Sequence, residues 1–147
     1  MKDKTVTITV TQKLADEFSA LYKNHTAGMR LSAETFMQLR TSTMYELKGK
    51  FTKPEIIALT DNLNGTMMQV EYATNGNMLI AHIEDGEKYE GVCSKHGANL
   101  NDLSAKIASL TSAQVLFLQD EINRFWNEPK AYGAPTPDLD KFIEAMQ

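Results

Sequence analysis

The chain has 147 residues, 42% of them hydrophobic and 23% charged, which fits one soluble globular domain and excludes a disordered tail. Its 15 basic and 19 acidic side chains give a net charge of −4, which opposes broad, sequence-independent affinity for nucleic acid. The charge is uneven, with 8 basic and 5 acidic groups in residues 1–50 against 7 and 14 in residues 51–147, so a local basic surface near the start stays open. No run of about 18 apolar residues exists to form a transmembrane helix. The start, MKDKTVTITVTQK, carries charges where a secretory signal needs an apolar stretch, and the lone Cys93 cannot staple the chain internally. A cytoplasmic location is expected.

In chain order, Thr5 to Thr11 alternates Thr with Val6, Ile8 and Val10, the period of a half-buried strand. Leu14, Phe18, Leu21 and Tyr22 then recur at helical spacing through QKLADEFSALYKN. Gly28 permits a break, after which Ser32 is placed to cap a helix carrying Phe36, Leu39, Thr43 and Leu47 on one face, with Leu31 and Phe36 as its staple. Gly49 supplies the stop. At Phe51-Thr52-Lys53-Pro54-Glu55-Ile56 the Thr52/Glu55 pair forms a capping box and Phe51 packs on Ile56, so a helix starts there, buries Ile56, Leu59 and Leu63, and ends at Asn64-Gly65.

Met67 to Tyr72 and Met78 to Glu84 flank Thr74-Asn75-Gly76-Asn77, and Asn-Gly between apolar runs predicts a hairpin over 66–84. A short strand at Tyr89 to Val92 follows the turn Glu84-Asp85-Gly86-Glu87, and strand 5–11 is expected to join this small antiparallel sheet. Leu100, Leu103 and Ile107 mark a short helix. Leu110-Thr111-Ser112-Ala113-Gln114-Val115 repeats the staple and capping box before a helix with Val115, Leu118, Ile122 and Phe125 on one face. The proline-rich stretch 129–137 reads as a surface connection to a last helix bearing Leu139, Phe142, Ile143 and Met146. The fold class is therefore α+β, a mostly helical single domain over 1–147. Residues 51–64 and 110–123 align at an offset of 59, with Thr, Leu, Asp and Asn identical at 52/111, 59/118, 61/120 and 64/123, which leaves a weak helical duplication open beside convergence of capped helices.

Candidate chemistry is sparse. Cys93 and His96 have a CxxH spacing, and His82 across a nearby turn would be a third ligand, so a zinc site completed by a carboxylate such as Glu84 is the alternative to a protein without cofactor. A Cys93–His96 nucleophile pair lacks an oxyanion site, and Asp61 with Asp120, which occupy matching helical positions, would be paired acids only if their helices met. Neither GxGxxG nor GxxxxGK[ST] is present.

The first 48 residues, TVTITVTQKLADEFSALYKN followed by LSAETFMQLRTSTMYELKG, resemble the strand, helix, loop and longer helix of the ribbon-helix-helix DNA-binding family. That resemblance implies an intertwined dimer whose paired strands enter the major groove. Thr5, Thr7, Thr9 and Thr11 would then face the bases, with Lys2 and Lys4 at the start of the strand and Ser32 opening a helix toward phosphate.

By elimination, the leading expectation is a non-enzymatic protein-interaction or regulatory module with a protein partner. Self-association would run through the first strand or the sheet edge. Tyr45, Tyr72, Tyr89, Trp126 and Tyr132 are candidate surface aromatics, and Met67, Met68, Met78 and Met146 are either an adaptable interface or core filling.

Overall fold

The computed structural model describes residues 9–66, 72–126 and 139–147. These form α-helices and, among the described residues, no strand, so the predicted α+β class is corrected to all-helical. The helices are α1 (Gln12–Leu21), α2 (His25–Leu47), α3 (Lys53–Thr66), α4 (Gly76–Glu90), α5 (Val92–His96), α6 (Leu100–Ala108), α7 (Ser112–Trp126) and α8 (Leu139–Met146). None of them is long and apolar enough to cross a membrane.

The chain divides within α2 into two compact units, Met1–Arg40 and Thr41–Gln147. In the second, α3 is the hub, packing against α4, α5, α7 and α8, while α4 also packs on α5, α6 and α7. Its core holds Leu47, Ile56, Leu59, Leu63, Leu79, Ile83, Leu103, Ile107, Leu118 and Ile122, all essentially shielded from water. Each such side chain contributes about 1.5–3 kcal/mol of transfer free energy. The seam lined by Ile56, Leu59, Leu118, Ile122, Phe142 and Met146 is apolar and leaves no room for a water molecule. Met146 thus fills core, and the C-terminal turn is tied down further by Gly49, whose N–H donates to the Met146 carbonyl at 2.8 Å from a backbone with φ +77°.

Both capping boxes form. Thr52 N–H donates to Glu55 Oε2 at 2.7 Å and Glu55 N–H to Thr52 Oγ1 at 3.4 Å; Thr111 N–H donates to Gln114 Oε1 at 3.0 Å and Gln114 N–H to Thr111 Oγ1 at 3.2 Å. The two helices they open, α3 and α7, pack against each other.

The hairpin predicted over 66–84 does not exist in the described part of that range. Thr66 ends α3, residues 67–71 lie outside the described residues, and Asn75 is extended at φ −153°, whereas a type I′ turn demands positive φ there. The Asn75 side chain instead accepts from Met78 N–H at 3.0 Å, capping α4, and Leu79 and Ile83 bury at a helical spacing of four. The turn predicted at 84–87 lies inside α4, where Gly86 makes room for the Asn62 side chain of α3. Of the strand predicted at Tyr89 to Val92, Tyr89 and Glu90 close α4, Gly91 turns at φ +59° and Val92 opens α5. Of strand 5–11, residues 5–8 lie outside the described residues. Residues 9–11 are irregular, and Thr11 caps α1 by accepting from Leu14 N–H at 3.3 Å.

The first unit comprises α1 and most of α2. Asn24 accepts from the N–H groups of Thr26 and Ala27 at 3.0 and 3.2 Å, so α2 begins at His25, seven residues ahead of the predicted Ser32 cap. Gly28 is helical rather than a break. The Tyr22 ring lies so close that a Cβ on Gly28 would stand 2.5 Å from Tyr22 Cδ2, and Tyr22 stacks in turn on Phe18 with centroids 6.2 Å apart.

Candidate functional site

The candidate metal residues do not converge. His82 lies half-buried on α4, Cys93 is buried at the start of α5, and His96 ends that helix with Nε2 2.7 Å from Asp61 Oδ2. No group of three His, Cys, Asp or Glu side chains among the described residues is placed to hold a metal ion. Burial, reinforced by the Glu87 carboxylate, pushes the Cys93 thiol up to about 11, which keeps it protonated at neutral pH and a poor nucleophile.

Glu87 has a structural task. Its carboxylate accepts from Cys93 N–H at 2.6 Å and from the Ser94 hydroxyl at 3.2 Å, and the Cys93 amide is the main reason its pKa lies below the usual range. At the other end of α5, Asp61 on α3 receives His96 and also Lys95 Nζ at 2.9 Å, and these two partners hold its carboxyl below the ordinary carboxylate value. Asp61 therefore staples α5 to α3. The aspartate–histidine contact arises only from tertiary packing, since the two residues are 35 apart in sequence.

Of the candidate nucleic-acid residues, Lys2, Lys4 and Thr7 lie outside the described residues, and Thr9 is exposed on irregular backbone. Ser32 sits inside α2, where the amide groups of the backbone are already committed to the helix. Among the surface aromatics, Tyr45 and Tyr89 are exposed and Tyr72 is half-buried, while Tyr132 and the Trp126 side chain lie outside what is described; so do Met67 and Met68.

What the residue patterns did not reveal is where apolar surface remains. In the first unit Gly28 is the one buried residue among those whose burial is described, and α1 buries none. Leu14 and Leu21 on α1 are 39% and 77% exposed, and Leu31 and Leu39 on α2 are 52% and 49% exposed. The spacing of seven on α1 and eight on α2 places each pair on one helix face. Of the predicted stripe Leu39, Thr43 and Leu47, the first belongs to the first unit and is half-exposed, whereas Thr43 and Leu47 belong to the second unit and are buried. Helical periodicity marked Leu14, Leu21 and Leu39 as apolar positions, and Leu31 was expected as a staple, but neither pattern carries information on whether the chain itself covers them.

Comparison of the chain with protein-family models, with curated proteins and with solved structures finds no match.

Proposed function

We propose that this is a non-enzymatic, cytoplasmic protein-interaction module in which the second unit is framework and α1 with the first part of α2 presents the binding surface. The observation that carries the reading is the concentration of exposed leucines in a helical unit that buries no side chain among those described. Helices gain most of their stability by burying an apolar face, so a helix pair that leaves such faces in water is completed by association. The buried polar groups of the second unit support the framework role, because Glu55, Gln114 and Gln119 are each engaged in holding the fold.

Gentle co-purification of the full chain from its native cell tests this. The chain is expected to emerge with a stoichiometric associate, which Leu31→Glu with Leu39→Glu removes and Leu116→Glu, an exposed leucine of α7, leaves in place. A wild-type chain that carries no associate of any kind under these conditions refutes the reading.

A further inference from the structure

We infer that the second unit is built as a homodimer is built, from two equivalent helical halves paired across a local pseudo-two-fold axis within one chain. The halves are residues 41–63, the end of α2 with α3, and residues 101–122, α6 with α7. The inference does not depend on what the first unit binds.

Burial repeats position by position. At the offset of 59 between α3 and α7, Leu59 and Leu118, Thr60 and Gln119, and Leu63 and Ile122 are buried in pairs. The polar pair also bonds alike: Thr60 Oγ1 donates to the Ile56 carbonyl at 2.7 Å and Gln119 Nε2 to the Val115 carbonyl at 3.0 Å, each reaching back four residues. The equivalence continues into the preceding helices at an offset of 60, the link being one residue shorter in the second half. Thr43 and Leu47 are buried on α2 as Leu103 and Ile107 are on α6. Lys50 N–H then donates to the Leu47 carbonyl at 3.1 Å, as Leu110 N–H does to the Ile107 carbonyl at 3.0 Å.

Two reciprocal contacts close the pair. Glu55 of the first capping box receives Lys106 Nζ, at 2.6 and 2.8 Å, from the helix ahead of the second box. Gln114 of the second box donates through Nε2 to Glu46 Oε2, at 3.0 Å, on the helix ahead of the first. Glu46 and Lys106 are equivalent at the offset of 60, and Glu55 and Gln114 at that of 59. A contact of i with j answered by one of j with i is what a two-fold pairing produces. Leu59 and its equivalent Leu118 line one apolar seam, as residues beside such an axis do. Independently capped helices share boxes and stripes, but capping alone does not make each box bind the helix that precedes the other.

Urea unfolding of the full chain reads this through two mirror-image double-mutant cycles. Lys106→Glu sets a second carboxylate against Glu55 and is expected to raise the unfolding equilibrium constant at least about tenfold; adding Glu55→Gln, which reproduces the Gln114–Glu46 contact, recovers most of that loss. At the other end Gln114→Glu is expected to do the same damage, and adding Glu46→Lys, which reproduces the Glu55–Lys106 contact, to undo it. Should a single variant fail to fold, its double variant decides alone, by showing or lacking the wild-type helical circular dichroism and a cooperative transition. Recovery at both ends is the expected result. Recovery at one end only, or at neither, overturns the equivalence of the halves.

Discussion

Glycine 76 shows how little tolerance the second unit has at its closest approach. A Cβ there would stand 2.6 Å from the Ile107 carbonyl oxygen, a backbone atom that cannot swing aside, so α4 and α6 meet only because the side chain is missing. Gly76→Ala is expected to cost about 2–3 kcal/mol through forced separation of the two helices, measured by urea unfolding. Gly91→Ala meets no atom within 4 Å and is strained only by its φ of +59°, so about 1 kcal/mol is expected. Equal costs at the two sites would contradict the close crossing. Glu55 separates capping from pairing in the same manner. Its carboxylate caps α3 through Thr52 and receives Lys106 Nζ at 2.6 and 2.8 Å, contacts that outweigh the burial opposing its charge and leave its pKa lowered. Glu55→Gln keeps the cap, as Gln114 does for α7, and is expected to cost about 1 kcal/mol; Glu55→Ala loses cap and ion pair together and should cost about 2–3 kcal/mol in the same assay.

At the scale of elements, the helix starts at Thr52 and Thr111 were legible because a capping box is a local device: two side chains and two amides three residues apart decide it. The last helix was legible from Phe142, Ile143 and Met146 at helical spacing. Asn75-Gly76 was not, because asparagine satisfies a helix N-terminus with the same short acceptor that suits a tight turn, and only the spacing of Leu79 and Ile83 separates the two outcomes. Gly86 and Gly28 misled for a related reason, since both are helical glycines kept by a neighbouring side chain, Asn62 or Tyr22, that needs the space. The approach to α4 is fixed by a contact 46 residues distant in sequence: the buried Gln119 amide accepts from Ala73 N–H at 2.9 Å and donates to the Ala73 carbonyl at 2.8 Å. Gln119→Leu is expected to destabilise by about 2–4 kcal/mol by leaving both backbone groups buried without partners, and calorimetry that shows a change below about 0.5 kcal/mol would remove that clamp from the account.

For the whole molecule, the carboxylates set the response to acid. Glu55, Asp61 and Glu87 all have folded-state pKa values below their ordinary ones, so the unfolded chain binds more protons than the folded chain as pH falls into the carboxylate range. The stability they supply is complete above the ordinary carboxylate values of about 4 and is lost as pH drops through the folded values. Unfolding followed from pH 7 to pH 2 should show a flat plateau that falls off below about pH 4, and Asp61→Asn should shallow that fall. The charge asymmetry of the sequence falls along the unit boundary, with 6 basic and 4 acidic groups in the first unit against 9 and 15 in the second. The candidate site was only half legible: periodicity identified Leu14, Leu21 and Leu39, and Leu31 was read as a staple residue ahead of a Ser32 cap, but a stripe that faces a core and a stripe that faces a partner have the same spacing. Association through α1 and α2 is tested most directly by amide hydrogen exchange of the full chain, alone and with its co-purified associate. Residues 14–21 and 31–39 should exchange fast in the chain alone and slow markedly in the complex, while α3, α4 and α7 stay protected throughout; exchange in 14–39 that the associate does not slow would contradict it.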